Sequence, residues 1–159
     1  MKIETKLTEM GLVLPEPLKV PPGSRITFAW ARVYGQHVYV SGHGPQQPDG
    51  SMGPFGKVGA ELSPEQAYQA ARSATLSILS SLKRSLGDLD RVEAWLNVSG
   101  MINVAPGFVQ TTQVMNGFSD LVIDLYGSDV GIHARTAIGV AALPFGLPVV
   151  IAAEVAISP

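Results

Sequence analysis

Cysteine is absent from the 159-residue chain, which excludes disulfides, thiolate nucleophiles and zinc–thiolate sites. Charge is sparse: 15% of residues are Asp, Glu, Lys or Arg, the net charge is -2, and 46% of residues are hydrophobic. No run of Lys and Arg stands out, so the electrostatic attraction that drives nucleic-acid binding is missing. Long apolar runs are lacking too, since stretches such as Ile138 to Leu147 fall far short of the ~20 residues a membrane span needs. The opening residues, Met1-Lys2-Ile3-Glu4-Thr5-Lys6, lead into no apolar segment with a small-residue cleavage site. No signal peptide is expected, and the expected address is the cytoplasm. The three histidines do not form a metal-ligand spacing and no acidic cluster accompanies them. Neither a metal nor a cofactor is expected.

What is present suits one domain with a single core. A mean hydropathy of +0.23 is high for a soluble monomer, so part of the apolar surface is expected to be buried by self-association. The division predicted is an N-terminal arm over residues 1–24 and one α+β domain over 25–159. Within the arm, a short helix around Leu7 precedes Pro15 to Ser24, where four prolines forbid a helix or a central strand.

Two strands are predicted at 26–33 and 36–42, hinged at Gly35. The Gly/Pro-rich residues 43–62 read as a long loop, of the kind that more often serves function than mere connection. Ser63-Pro64-Glu65-Gln66 is a helix start with a capping box. Tyr68, Ala71, Thr75, Ile78, Leu79, Leu82 and Leu86 then recur at helical spacing up to Gly87. A strand at 91–102 follows. A second helix is predicted from near Pro106 to Gly127, carrying Phe108, Met115, Phe118, Val122 and Leu125. Strands at 135–142 and 149–157 complete a β-β-α-β-α-β-β order, with both helices on one face of a sheet and the bare face covered by other copies.

Among polar residues Arg135 stands out. It opens an apolar strand whose same face continues with Ala137, Gly139 and Ala141, small residues that leave room for a packed element or for a ligand. A partly buried guanidinium needs acceptors, and its planar fork suits a carboxylate. Two readings stand: a ligand anchor, or a structural ion pair with Asp120, Asp124 or Glu154. His43, in a Gly-rich bend after a strand, is either a proton shuttle or a loop histidine bonded to backbone. His133 either adds positive charge beside Arg135 or lies at a surface, and His37 reads as surface or interface. Gly56-Lys57-Val58-Gly59 lacks the length and the hydroxyl residue of a phosphate loop. Trp30 and Trp95 read as core or interface aromatics, with cleft lining as the lesser alternative.

Several segments together resemble one known family. They are Val40-Ser41-Gly42-His43-Gly44-Pro45, Gly56-Lys57-Val58-Gly59, Tyr68-Gln69-Ala70-Ala71-Arg72, Gly87-Asp88-Leu89-Asp90-Arg91-Val92, Val104-Ala105-Pro106-Gly107-Phe108, Val114 to Asp120, and His133 to Ala141. In this order they are similar to the Rid (reactive intermediate deaminase, or YjgF-like) proteins, in the longer branch with an N-terminal arm. The resemblance implies a chorismate-mutase-like α+β fold and a homotrimer with ligand clefts between subunits. It further implies an arginine that fixes the carboxylate of a 2-imino acid while water hydrolyses the imine to a 2-keto acid and ammonia. Arg135 matches that arginine, Ser41 and Gly42 the strand-end pair lining the cleft, and Asn116 a cleft asparagine. Phe28 stands where the family has tyrosine, Ala137 where it has cysteine, and His43 where it has glutamine. Val150 stands where it has the carboxylate that orients the water. Glu154 lies on the same strand face as Val150, but about 13 Å further along. The expected function is hydrolysis of imines or enamines of small carboxylic acids, with His43 moving the proton. The rival is a non-catalytic protein that binds a small carboxylate in the same cleft. A ribonuclease reading finds no basic-aromatic surface or paired histidines to support it.

Overall fold

The structure is a computed structural model that describes the whole chain, Met1–Pro159. Its elements are α1 (Lys2–Glu9), β1 (Ala31–Tyr34), β2 (His37–His43), α2 (Pro64–Leu86), β3 (Val92–Asn103), α3 (Thr111–Val130), β4 (Ala134–Val140) and β5 (Val149–Ile157), with short 3-10 turns at Leu89–Arg91 and Pro144–Gly146. One five-stranded sheet runs in the order β1-β2-β5-β3-β4. All neighbours are antiparallel except β3 and β4, which are parallel and joined through α3. This is the predicted α+β order, with α2 and α3 side by side on one sheet face.

β5 displays the reason for that layering. Val149, Ile151, Ala153, Val155 and Ile157 are buried toward the helices, while the alternate residues are only partly covered. α2 starts as its sequence dictates: Ser63 Oγ accepts from the Gln66 N–H at 3.1 Å, and Gln66 Oε1 accepts from the Ser63 N–H at 2.9 Å. Ser63→Ala is expected to lower stability by about 1 kcal/mol, seen as a shifted urea midpoint with an unchanged slope. α1 is tied down rather than free, with Ile3 and Leu7 in the core and the Lys2 and Ile3 N–H groups on the Asp90 carboxylate.

β4 stops at Val140, which leaves Ala141 outside the strand predicted at 135–142, and three other boundaries differ further from the sequence reading. β1 covers only Ala31–Tyr34 and not 26–33. Its partner β2 shifts register between Val40 and His43 to follow β5, which leaves residues 26–30 no ladder. Ser41 substitutes there, its N–H donating to Trp30 O and its hydroxyl to Ala29 O at 2.7 Å. α3 begins at Thr111, not near Pro106, because Gly107 takes a positive φ of 84° and closes a turn in which the Phe108 N–H bonds Ala105 O. At its other end the helix breaks at Gly127 (φ 81°, ψ 172°) and adds one further turn.

The sheet face away from the helices carries Val150, Met101 and Ile138 in one row, and Arg32, Tyr39 and Glu154 in another. Tyr34, Tyr39 and Ile138 are exposed there, and no element of the chain covers them.

Candidate functional site

Arg135 lies on β4, an edge strand, with its side chain turned toward α3. One guanidinium nitrogen donates to Asn116 Oδ1 at 3.1 Å and Ser119 Oγ at 2.9 Å, and the other reaches Thr112 O at 3.4 Å. These acceptors are all neutral. None of the acids considered from the sequence pairs with it: Asp120 accepts from the Tyr68 hydroxyl at 2.6 Å, and Glu154 lies 3.9 Å from His37 Nε2. A half-buried positive charge is therefore oriented without being neutralised. That is the state in which an arginine can accept an anionic guest.

His133 fixes this arrangement. Its Nδ1 lies 2.7 Å from Gly131 O, which can only accept, so the ring hydrogen sits on Nδ1. Nε2 then accepts from the Ser119 hydroxyl at 2.8 Å, leaving the Ser119 oxygen lone pairs for Arg135. Burial, reinforced by the charge of Arg135, lowers the His133 pKa. Near neutral pH this histidine adds no positive charge to the site; it orients the serine that orients the arginine.

The second group of expected residues gathers elsewhere. Phe28, Gly42, His43 and Val150 line a cavity of about 370 Å3 beneath the proline arm, with Trp30, Phe145 and Arg84. Gly42 packs closely on Val150, since a Cβ there would sit 2.7 Å from Val150 Cγ1 and push that side chain aside. Ser41 stands beside this wall with its hydroxyl committed to Ala29 O. Ala137 packs against the core next to Arg135, and its carbonyl accepts from the Thr111 hydroxyl. The small face of β4 is not vacant throughout: Val104 fills the space over Gly139, within 2.8 Å of where a Cβ would be.

His43 is 4% exposed and has both ring nitrogens engaged, Nδ1 with Ser41 O at 2.5 Å and Nε2 with Ser81 Oγ at 2.8 Å. Burial, aided by the charge of Arg84, pushes its pKa down to about 4. Of the two readings the sequence offered, the geometry matches the histidine bonded to backbone, with its other nitrogen on an α2 serine. The network repeats the one at Arg135: Nδ1–H to the carbonyl two residues back, Nε2 from a serine hydroxyl, and that serine accepting from an arginine, here Arg84 at 3.0 Å.

A titration follows from the depressed histidine. Between pH about 6.5 and 4 the unfolded chain binds a proton at His43 that the folded chain refuses, so stability falls as pH falls, by roughly 3 kcal/mol over that window. His133 contributes with the same sign. Urea midpoints measured from pH 7 to 4.5 should decline, and the decline should be shallower in His43→Gln by about one proton.

The expected residues therefore form two groups, Arg135 with Asn116 on one side and Phe28, Gly42, His43 and Val150 on the other, and one chain does not join them. Ser119, Thr112, Ser80, Ser81 and Arg84 were not singled out by the sequence. The one available signal was spacing, since Ser80 and Ser81 lie a helical turn before Arg84.

Comparison with known proteins agrees with this architecture. Residues 4–153 match the family described as "YjgF/chorismate_mutase-like, putative endoribonuclease". Protein TCP17 of Trypanosoma cruzi is 34% identical over 148 residues, covering 93% of this chain and 89% of that one. The crystal structure of Atu1372 from Agrobacterium tumefaciens, of unknown function, superposes with a TM-score of 0.87 at 32% identity, over 99% of this chain and 94% of that one. The Rid protein YyfA of Yersinia pestis shares the fold at a TM-score of 0.58 and 18% identity, over 89% and 98% of the two chains. A match across nearly the whole length, on a sheet and helix pair of this topology, means that the chain belongs to the YjgF/Rid family.

Proposed function

We propose that this chain hydrolyses imines or enamines of small carboxylic acids in clefts formed between copies, with Arg135 as carboxylate anchor. The observation carrying this reading is the guanidinium of Arg135, held by three neutral oxygens and paired with no acid. An uncovered sheet face and an unpaired β4 edge support self-association, as a trimer in the family pattern. A neighbouring copy would bring Arg135 to the wall of Phe28, Gly42 and Val150. Self-association is checked by sedimentation, a monomer at working concentration being the result against it.

The reaction adds water across C=N: the oxygen bonds to the imine carbon, the C–N bond breaks, and the nitrogen leaves as ammonia, giving a 2-keto acid. With both nitrogens of His43 engaged and its basicity lowered by burial, the cavity wall offers no free general base. Rate would come from orienting a reactive imine beside water. The test generates imino acids with an amino-acid oxidase and follows their decay with and without the protein. Acceleration that disappears in Arg135→Ala supports the reading, and no acceleration at all refutes it.

Val150 in the position of the family carboxylate favours a second reading, in which the cleft binds a small carboxylate without turning it over. Calorimetric binding of a 2-keto acid together with unchanged imine decay would select that reading.

A further inference from the structure

The cavity beneath the arm holds a cation that the proposed reaction does not use. Arg84, near the end of α2, donates to Ser80 Oγ at 2.6 Å and Ser81 Oγ at 3.0 Å. Both serines are buried, at 5% and 3% exposure, and each hydroxyl is committed elsewhere: Ser80 donates to Pro15 O of the arm at 2.6 Å, and Ser81 to His43 Nε2. Both oxygens are thereby left as acceptors aimed at the guanidinium. Arg84 has no acidic partner, and no Asp or Glu lines the cavity, while Arg25 adds a second cation to its wall. The remaining wall mixes apolar and aromatic side chains with Ser24, Gln46 and His43. Phe28 and Trp30 meet edge to face at 4.9 Å, and Trp30 meets His43 at 5.2 Å. A cation near a helix C-terminus is stabilising by itself, but that role needs neither two buried serines nor a histidine behind one of them. The same arginine–serine–histidine arrangement orients Arg135. The chain thus orients one acid-free guanidinium on β4 and a second, more exposed one at the cavity wall.

We propose that Arg84 binds a second anionic group of the ligand, so that the preferred substrates are imines of dicarboxylic acids whose apolar middle lies against Phe28, Trp30 and Phe145. This rests on the carboxylate-anchor reading of Arg135 for the first carboxylate. The apolar wall selects a methylene or aromatic spacer, and the guanidinium selects the far anion. A neutral tail of the same length would leave Arg84 solvated and gain nothing from it.

Calorimetric titration of the full chain with a six-carbon 2-oxo diacid, and with the matching 2-oxo monoacid that carries a methyl in place of the far carboxylate, reads the preference directly. The wild-type chain is expected to bind the diacid about tenfold more tightly, and R84Q to bring the two within about twofold by weakening the diacid alone. R84K, which keeps the charge without the fork, should retain part of the preference. Equal affinity of the wild-type chain for the two acids overturns the proposal, as does R84Q weakening both alike. The wild-type comparison decides even where R84Q folds poorly. Failure of the Arg135 reading has a different signature: R135A would bind both acids like wild type, with the diacid preference and its dependence on Arg84 intact.

Discussion

Arg135→Ala is expected to reduce imine turnover, or 2-keto acid affinity where turnover is absent, by about a hundredfold, while changing folding stability by no more than about 1 kcal/mol. The two halves of this expectation have the same origin. The guanidinium's partners are an amide oxygen, a hydroxyl and a backbone carbonyl, so its removal leaves no buried anion unpaired, and Ser119 keeps its bond to His133. A structural ion pair behaves in the opposite way, since truncating one partner strands the other and costs about 3–5 kcal/mol. Arg135→Lys should recover only part of the loss, because an ammonium cannot hold Asn116, Ser119 and a carboxylate in one plane. Parallel urea and calorimetric titrations on the same preparations separate the outcomes. A large loss of stability without a loss of binding would return Arg135 to the scaffold.

The largest stability effect is expected from Gly117→Ala, at about 3 kcal/mol of destabilisation. Alanine is the better helix former by about 1 kcal/mol, so an exposed glycine in α3 would gain from the exchange. Gly117 is buried where α3 crosses α2, and a Cβ would lie 2.1 Å from Tyr68 O and 3.2 Å from Ala71 Cβ. The obstacle is backbone on a neighbouring helix and cannot rotate away. Gly100 makes the useful contrast: a Cβ there meets the Met115 sulfur at 2.3 Å, and a methionine side chain can swing aside. Gly100→Ala should therefore cost less than Gly117→Ala in the same urea titration. Because Asn116 and Ser119 flank Gly117 on the helix that holds Arg135, pushing α3 away from α2 should weaken ligand binding as well.

The layered fold was legible because its signals are local. The capping box at Ser63, the apolar stripe of α2 and the bounds of β5 are each written within a short window, and the structure keeps all three. The errors arose where a distant partner decides. Residues 26–30 have strand-like composition, but β2 leaves them to follow β5, and Phe108 continues a helical pattern that Gly107 cuts. The site divides in the same way. Arg135 was visible as a lone cation opening an apolar strand. The serines that orient it and Arg84 were not, because a serine on a helix looks like surface until the histidine behind it is located. For His43 the backbone-bonded alternative was legible because its carbonyl partner is local, whereas the α2 serine it also meets lies 38 residues along the chain and left no signal.

The proline arm offers few N–H groups, and two of them, on Glu16 and Lys19, donate to Pro48 O and Gly50 O of the loop opposite. Gly50 is packed so tightly against Pro17 O that a side chain at that position could not fit. Gln46 Nε2 adds a bond to Glu16 O at 3.1 Å and Lys19 an ion pair to Asp49 at 3.8 Å, so arm and loop are laced into one wall of the cavity. Amide exchange at Glu16 and Lys19 would therefore clock how long that wall holds together, independently of any ligand.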